Sequence, residues 1–239
     1  MKKFVPTLIK ALKKFDMISP GDKIAVGVSG GKDSLFLLKL LSFYRDHVDH
    51  SFDIIAIFVD QTNGSANTQK LQNFCNECGV DFFAKSTNIF EVVFEVRSEK
   101  NPCSLCSKMR RASLLEYAKE LGCNKVALGH HADDLINTFL LSLFYEGRLS
   151  TFAPVTYMSR VDITTIRPLM FVWESQIEKL KNTLPVLQNS CPADKHTKRE
   201  DVKKLLQELE SKHPDIKKQI FAALCNPERF NVLGKKLSD

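Results

Sequence analysis

The feature that most constrains the fold of this chain is a glycine- and hydroxyl-rich loop between an apolar strand and a helix. The strand is predicted at Lys23–Val28 and the helix at Ser34–Tyr44. Adjacent glycines permit positive φ angles and close backbone approach, and the N–H groups of a helix start attract an anion. The loop therefore predicts a polyphosphate site, with an ordinary glycine turn as the alternative. Its residues are Ser29, Gly30, Gly31, Lys32, Asp33 and Ser34.

The loop sequence S-G-G-K-D-S differs from two familiar phosphate loops. A Walker A loop requires G-x-x-x-x-G-K-[ST], and the dinucleotide fingerprint is G-x-G-x-x-G. The sequence resembles instead the PP-loop of the ATP pyrophosphatases. That resemblance implies an adenine nucleotide alpha hydrolase-like fold and cleavage of ATP between its α- and β-phosphates.

Strand patterns alternate with helix patterns along the chain, which predicts an α/β fold with a doubly wound parallel sheet. The predicted strands are Lys23–Val28, Asp53–Val59, Val80–Ala84, Lys125–Leu128 and Ile163–Arg167. The predicted helices are Ser34–Tyr44, Thr68–Glu77, Lys108–Leu121, Asp133–Tyr145, Glu174–Lys181 and Asp201–Ser211. The charge-rich residues from 195 to 218 predict C-terminal helices.

A length of 239 residues fits one large α/β domain with small additions at its ends. We predict a basic N-terminal helix at 1–20, the ATP-binding domain at 21–190 and a C-terminal helical extension at 191–239. The lysine face of the first helix is either solvated or in contact with phosphates or a membrane surface. No apolar run is long enough to cross a membrane, and no secretory signal is recognised, so we expect a cytoplasmic protein without a membrane partner.

Polar residues follow several of the predicted strands, at the sheet edge where parallel α/β folds bind ligands. Asp60 follows the second strand, and Gly129 and His130 follow the fourth. Asp133 and Asp134 come next, at the start of a helix, where carboxylates commonly act as caps. Beside a phosphate loop they are also candidates for holding Mg²⁺ with pyrophosphate or for proton transfer.

Seven cysteines in a protein expected to be cytoplasmic indicate metal or redox chemistry rather than a disulfide framework. Cys103 and Cys106 form a C-x-x-C motif just before a predicted helix, where the dipole and neighbouring basic residues stabilise thiolates. The motif alone is compatible with zinc, an iron–sulfur cluster or a dithiol redox pair.

A third ligand is predicted at Cys191, which is followed by a proline as in some iron–sulfur sites. The second C-x-x-C pair, Cys75 and Cys78, lies within an apolar helical pattern and is more typical of a core. Three thiolates would leave one position of a [4Fe–4S] cluster open to sulfide or substrate.

Together these motifs resemble the tRNA 2-thiocytidine synthetase family of PP-loop tRNA sulfurtransferases. The matching segments cover most of the chain. They are Gly21–Lys23, Ser29–Ser34, Val59–Gln61, Cys103–Arg111, Leu128–Asp134, Ile166–Leu169 and Cys191.

The resemblance implies adenylation of the C2 oxygen of a cytidine, at nucleotide 32 of the anticodon loop, followed by its replacement with sulfur. It further implies ATP, Mg²⁺ and a [4Fe–4S] cluster held by Cys103, Cys106 and Cys191. The expected partners are tRNA and a sulfur donor, either sulfide or a cysteine desulfurase persulfide, and a homodimer is possible. The candidate catalytic residues are Cys103, Cys191, Arg110, Asp133 and Asp134. The candidate nucleotide-binding residues are Ser29–Ser34, Asp60, Gly129 and His130.

The sequence leaves three alternatives open. One is another PP-loop enzyme, either a tRNA 2-thiouridine synthetase or an amidating or lysidine-forming ligase. A second is an ATP-binding iron–sulfur sensor that makes no product. A third is a zinc-stabilised RNA-binding module in which Cys75 and Cys78 join the other C-x-x-C pair.

Overall fold

The computed structural model describes residues 1–96, 102–187 and 198–229. The described chain forms two compact units. The first contains the described residues within 1–131 and 153–193, and the second contains those within 132–152 and 194–239. The domain boundaries predicted from the sequence stay a prediction.

The first unit contains a six-stranded sheet in the order β3-β2-β1-β4-β6-β5. The strands are β1 (Lys23–Gly27), β2 (Asp53–Asp60), β3 (Asp81–Ser86), β4 (Lys125–Ala127), β5 (Val155–Met158) and β6 (Ile163–Ile166). Every pairing is parallel except that of β5 with β6. The predicted α/β class with a parallel sheet is therefore confirmed for five of the strands, and β5 is an antiparallel edge strand that the sequence did not predict.

Both faces of the sheet are covered, because alternate residues of its strands enter two different apolar clusters. In β2, Ile54 and Ala56 belong to one cluster, while Ile55 and Ile57 belong to the other. A strand buried on both sides must be apolar throughout rather than alternating. This explains the continuous apolar run of β2, by which the strand was identified in the sequence.

The helices of the first unit are α1 (Val5–Lys14), α2 (Lys32–Arg45), α3 (Gln69–Glu77), α4 (Pro102–Glu120) and α6 (Glu174–Glu178). A short π-helical segment spans Glu91–Val96. Helix α1 buries Leu8, Ala11 and Leu12 and leaves Lys10 and Lys13 exposed, so it is amphipathic.

Helix α4 begins earlier than the sequence predicted. The prediction placed its start at Lys108, but the helix begins at Pro102, so the C-x-x-C motif lies in its first turns. Proline is favoured at the first position of a helix because its fixed φ suits the helix and its missing N–H has no partner to lose there. Pro102 was therefore the available signal for this boundary.

The second unit consists of α5 (Ala132–Glu146), α7 (Lys198–Lys212) and α8 (Ile216–Cys225). Helix α5 packs against both α7 and α8, which also contact each other. Helix α8 was not predicted as a separate element from the sequence. No helix in the described ranges is long and apolar enough to span a membrane.

The strand order reverses between β1 and β4, since β2 and β3 lie on one side of β1 while β4 and β6 lie on the other. Open α/β sheets bind ligands beyond the carboxyl ends of strands at such a reversal. The loop from Ser29 to Ser34 leaves β1 at this point, and Gly129 and His130 follow β4 there.

Candidate active site

The S-G-G-K-D-S loop is organised by the hydroxyl of Ser34. The backbone N–H of Ser29 donates to Ser34 Oγ at 3.0 Å, and Ser34 Oγ donates to the carbonyl oxygen of Gly31 at 2.9 Å. The two serine hydroxyls lie 3.1 Å apart. These bonds fold the loop over the start of α2, with Gly31 as the N-cap residue. The N-terminal N–H groups of α2 thus begin directly at the loop, as a phosphate site requires.

Close packing at two glycines fixes the path of this loop. Gly30 has a φ of +80°, and a Cβ there would lie 2.9 Å from the side chain of Leu187. Gly129, in the loop after β4, would bring a Cβ to 3.0 Å from both Asp33 C and Ser34 N. The absence of a side chain at Gly129 therefore lets the loop after β4 lie directly against the first turn of α2.

Lys32 is held by two glutamates of α6 that were not assigned to the site from the sequence. Its ammonium lies 2.8 Å from Glu174 Oε1 and 3.6 Å from Glu178 Oε2. Burial lowers the pKa of Lys32, but the carboxylates of Glu174, Asp33 and Glu178 outweigh this effect and raise it. Lys32 is thus a firmly charged cation beside the loop. The available signal was the i, i+4 spacing of the two glutamates, which puts them on one helix face.

The histidines after β4 have different surroundings. His131 is buried, and its Nε2 lies 3.8 Å from Asp33 Oδ1. His130 is half-buried in the same loop as Gly129. His131 thus contacts a residue of the phosphate loop, a contact that no local sequence pattern indicated.

The carboxylate of Asp60 organises the loop after β2. Its Oδ1 accepts hydrogen bonds from Thr62 N at 2.8 Å and from Thr62 Oγ1 at 2.6 Å, and its Oδ2 accepts one from Ala66 N at 3.4 Å. Burial raises the pKa of Asp60, but these hydrogen bonds together lower it. The side chain is a buried anion that fixes the backbone leading to Gln61. Its predicted role in nucleotide binding stays a prediction.

The C-x-x-C pair and Arg110 share one face of α4, since they are spaced at i, i+3 and i+7. Cys103 is exposed and Cys106 half-buried, next to the apolar cluster beneath α4. Cys106 Sγ lies 2.9 Å from Gln61 Oε1. Because Gln61 directly follows β2, this contact puts the cysteine pair at the same sheet edge as the phosphate loop.

Arg110 and Arg111 of α4 have different neighbours. Burial lowers the pKa of Arg110, and the nearby Cys106 offsets this shift only in part. Arg167, after β6, is buried, and its pKa is lowered to about 10 by burial and by the charge of Arg111. Its Nη1 donates to the carbonyl of Ala153 at 2.6 Å. Arg110 thus puts a positive charge beside Cys106.

Asp133 and Asp134 lie in the first turn of α5, in the second unit. Asp133 is buried and lies 3.5 Å from Lys217 of α8, and Asp134 lies 3.7 Å from Arg199 of α7. Both carboxylates thus have cationic neighbours from the C-terminal helices, a pairing that was not predicted from the sequence. Their predicted roles with Mg²⁺ or in proton transfer stay predictions.

The third predicted cluster ligand, Cys191, lies outside the described residues. Among the residues that the structure does describe, no group of three or more His, Cys, Asp and Glu side chains is arranged to hold a metal ion. Cys75 is fully buried in the core against α2, and burial raises its pKa to about 12, with the neighbouring Cys78 adding to the shift. Cys75 belongs to the apolar cluster on one face of the sheet, whereas Cys106 packs against the cluster on the other face, which is in line with a core role for Cys75.

A surface cavity of about 410 Å³ lies apart from these residues. It is lined by Lys70, Asn73, Phe74, Glu77, Asn182, Thr183, Leu184 and Pro185. None of the candidate site residues lines it. The chemistry of the loop and of α4, rather than this cavity, therefore identifies the candidate active site.

The sequence matches the PP-loop domain family over residues 4–209. The tRNA-cytidine(32) 2-sulfurtransferase of Citrifermentans bemidjiense is 35% identical over 234 residues, which cover 96% of this chain and 92% of that protein. The protein of the same name from Geobacter sulfurreducens is 35% identical over 243 residues, covering 99% and 94%.

Among solved structures, the fold is similar to that of the U34-tRNA thiolase NcsA from Methanococcus maripaludis with its [4Fe–4S] cluster. The TM-score is 0.72 at 26% sequence identity, with 94% of this chain and 78% of that chain covered. The sequence match, the near full-length relatives and the phosphate loop at the strand-order reversal agree. The chain belongs to the PP-loop family and, within it, to the tRNA-cytidine(32) 2-sulfurtransferases.

Proposed function

We propose that this tRNA sulfurtransferase converts cytidine 32 of tRNA to 2-thiocytidine in an ATP-dependent, iron–sulfur-dependent reaction. The C2 oxygen of the base attacks the α-phosphorus of ATP, so that pyrophosphate leaves and an adenylated base forms. Sulfide then attacks C2, and the C–O bond breaks with loss of AMP. The observation that carries the proposal is the Cys106–Gln61 contact, because it brings the C-x-x-C pair to the sheet edge that bears the phosphate loop.

In this proposal the phosphate loop binds ATP. The N–H groups at the start of α2 and the Lys32 ammonium stabilise the negative charge that moves onto the leaving pyrophosphate. Asp33 and Ser34 lie in the first turn of the same helix. Mg²⁺ prefers carboxylate and phosphate oxygens, and we assign its carboxylate ligands or the proton-transfer group to Asp133 and Asp134.

The donor set on α4 fits an iron–sulfur cluster. Two thiols lie on one helix face, beside Arg110 and the other basic residues, and iron–sulfur clusters are held by thiolates. Cys103, Cys106 and Cys191 would hold the cluster and leave one iron open. When bound, the cluster would present a sulfide for transfer to the activated base. Arg110 would contact the adenylated intermediate or the substrate.

The anticodon loop is single-stranded, so a base can leave the stack and enter a protein pocket. The proposed partners are therefore tRNA and a donor of sulfide or persulfide sulfur. A cytoplasmic location, where tRNA is modified, and a homodimer remain part of the proposal.

The decisive experiment supplies anaerobically reconstituted protein with Mg-ATP, sulfide and unmodified tRNA, and identifies the digested nucleosides by mass spectrometry. We expect 2-thiocytidine, which disappears when ATP or the cluster is omitted. A 2-thiouridine product would instead support the second candidate, a 2-thiouridine synthetase, which is favoured by the likeness to NcsA. The absence of any thionucleoside, despite bound ATP and an intact cluster, would refute both.

The cluster ligands are tested separately from nucleotide binding. Replacing Cys103, Cys106 or Cys191 with alanine should abolish the cluster and thiolation but leave ATP binding intact. The control is Cys123→Ala, at a buried cysteine of the apolar cluster beneath α4, which should retain iron. Full thiolation by the Cys191→Ala variant would refute the three-cysteine assignment.

A further inference from the structure

The side chain of Gln61 is in contact with a candidate cluster ligand. Its Oε1 lies 2.9 Å from Cys106 Sγ, well within the range of a hydrogen bond that involves sulfur. Both side chains are half-buried. In the metal-free state the Cys106 thiol donates this bond to the amide oxygen.

Hydrogen bonds hold the backbone at Gln61 and at the residue before it. The carbonyl of Gln61 accepts a hydrogen bond from Phe90 N at 3.1 Å. The preceding residue, Asp60, accepts bonds from Thr87 N at 2.9 Å and Thr87 Oγ1 at 2.7 Å through its carbonyl oxygen. The Asp60 carboxylate is itself bound by the loop that follows. The Gln61 side chain therefore extends toward Cys106 of α4 from a backbone position that these hydrogen bonds hold.

Metal binding changes the hydrogen bond that Cys106 can make. A metal-bound cysteine is a thiolate and only accepts hydrogen bonds, whereas a glutamine amide has both an acceptor oxygen and a donor NH₂ group. Rotation of the terminal amide by a half-turn presents Nε2–H to the sulfur without moving the backbone. Such outer contacts orient metal ligands and tune the bound metal.

We propose that Gln61 is a positioning residue for the cluster, whose amide donates an N–H···S hydrogen bond to Cys106 when iron is bound. This inference rests on the proposed function, since it requires a cluster at Cys103 and Cys106. Hydrogen bonds to cluster sulfurs help to set the reduction potential. A donor stabilises the extra negative charge of the reduced cluster, so its removal makes reduction harder.

The test compares Gln61→Leu and Gln61→Glu with the wild-type protein. Neither replacement donates a hydrogen bond at neutral pH, and glutamate retains the length and volume of glutamine. Each reconstituted protein is titrated anaerobically, with the midpoint potential followed by electron paramagnetic resonance. We expect a shift to a more negative potential in both variants, larger for glutamate because of its charge, and faster loss of the cluster in air. The matched control, Gln72→Leu on the exposed face of α3, should have the wild-type potential.

The outcomes separate this inference from the proposed function. An unchanged potential in both Gln61 variants would overturn the inference while leaving the cluster in place. A shift in Gln61→Leu alone would indicate an effect of packing rather than of the hydrogen bond, and would also overturn it. Failure of the wild-type protein to bind iron and sulfide would overturn the proposed function and the inference together. If the leucine variant fails to fold, Gln61→Met takes its place, since methionine is also neutral and donates no hydrogen bond.

Discussion

The two adjacent glycines of the phosphate loop differ in backbone conformation. Gly30 has a positive φ and lies against Leu187, whereas Gly31 has a φ of −79° that any residue can adopt. Positive φ costs an ordinary residue about 1–2 kcal/mol. The two positions look identical in the sequence, and only the backbone separates them.

Replacing Gly30 with alanine should therefore lower the free energy of unfolding by about 2 kcal/mol, combining backbone strain with overlap against Leu187. The Leu187 side chain cannot simply swing away, because its Cβ is itself 3.1 Å from the added atom. Gly31→Ala is the matched control and should cost less than half as much, since its Cβ meets Ser29 Oγ at 3.3 Å. Urea denaturation of both variants checks this. Equal losses would mean that the strain at Gly30 is absent.

The Lys32 ion pairs lead to a prediction for nucleotide affinity. Because Glu174 and Glu178 hold the ammonium in the absence of nucleotide, ATP must compete with them for this cation. Partly exposed ion pairs contribute about 0.2–1 kcal/mol each. The Glu174→Gln/Glu178→Gln double variant should therefore bind ATP roughly three- to tenfold more tightly.

Isothermal titration with ATP measures this change. The control is Glu116→Gln on the exposed face of α4, which makes the same replacement of a carboxylate by an amide away from Lys32. Weaker binding in the double variant would indicate that the glutamates orient Lys32 toward the phosphates rather than compete with them.

The buried thiol of Cys75 gives a third prediction at this scale. Cys75→Ala should retain the full iron content of the reconstituted protein and lose about 1 kcal/mol of stability through the small cavity. The reason is that Cys75 is fully buried in the apolar cluster on one face of the sheet, whereas Cys106 packs against the cluster on the other face. Iron analysis and thermal unfolding are the two measurements. Loss of iron in this variant would indicate that Cys75 is a metal ligand. It would support the alternative in which Cys75 and Cys78 bind metal together with the other C-x-x-C pair.

At the scale of elements, Asp22 connects the start of β1 to β4 at the sheet edge opposite the active site. Its buried carboxylate accepts hydrogen bonds from Ser19 N at 2.6 Å and Asn124 Nδ2 at 2.7 Å, and lies 2.7 Å from the Lys125 ammonium. Burial raises the pKa of Asp22, but Lys125, Ser19 and Asn124 together lower it below the ordinary value. The ionised carboxylate is therefore part of what joins the two strands.

This lowered pKa predicts the pH dependence of stability. The contribution of Asp22 is fully present above its ordinary pKa of about 3.9 and is lost as the pH falls through its lower folded-state value. Asp22→Asn leaves the half-buried Lys125 without its carboxylate, so it should cost about 2 kcal/mol at pH 7. The stability difference from wild type should shrink as the pH falls below about 4. Exposed Asp53→Asn is the control, and a pH-independent difference for Asp22→Asn would contradict this assignment.

The elements were predictable where one physical signal dominates. The buried run of β2 and the strand–loop–helix unit of β1 and α2 follow from apolar patterning and adjacent glycines. The start of α4 was missed because the six residues before Lys108 are too few to show a helical period, although Leu105, Cys106 and Met109 pack against the core at helical spacing. Strand β5 was missed because it is a short edge strand with a mixed pattern, of which Tyr157 is exposed.

Only part of the site was predictable from the sequence. Topology brings the loops after β1, β2 and β4 to one edge, so their convergence follows from strand order. The contacts of Lys32 with α6 and of Cys106 with Gln61 depend on side chains that are distant in sequence, and no local pattern encodes such pairs.

At the scale of the whole molecule, the formal net charge of +6 is concentrated partly on the exposed face of α1 and the residues just before it. Binding of phosphates by lysines releases counterions, so tRNA affinity should depend on salt. The double variant Lys2→Gln/Lys13→Gln should weaken tRNA binding. It should also reduce the slope of log K against log salt by about 1 for each lysine that no longer binds a phosphate. Both lysines are exposed, and stability should be unaffected.

The control for this prediction is the variant Lys70→Gln/Lys179→Gln, which removes the same charge from exposed positions on α3 and after α6. Filter-binding titrations from low to high salt compare the two variants. Equal slopes in both would mean that tRNA senses only the net charge of the protein. A smaller slope in the first variant alone would identify α1 as part of the tRNA-binding surface, because only charges close to the RNA backbone displace its counterions.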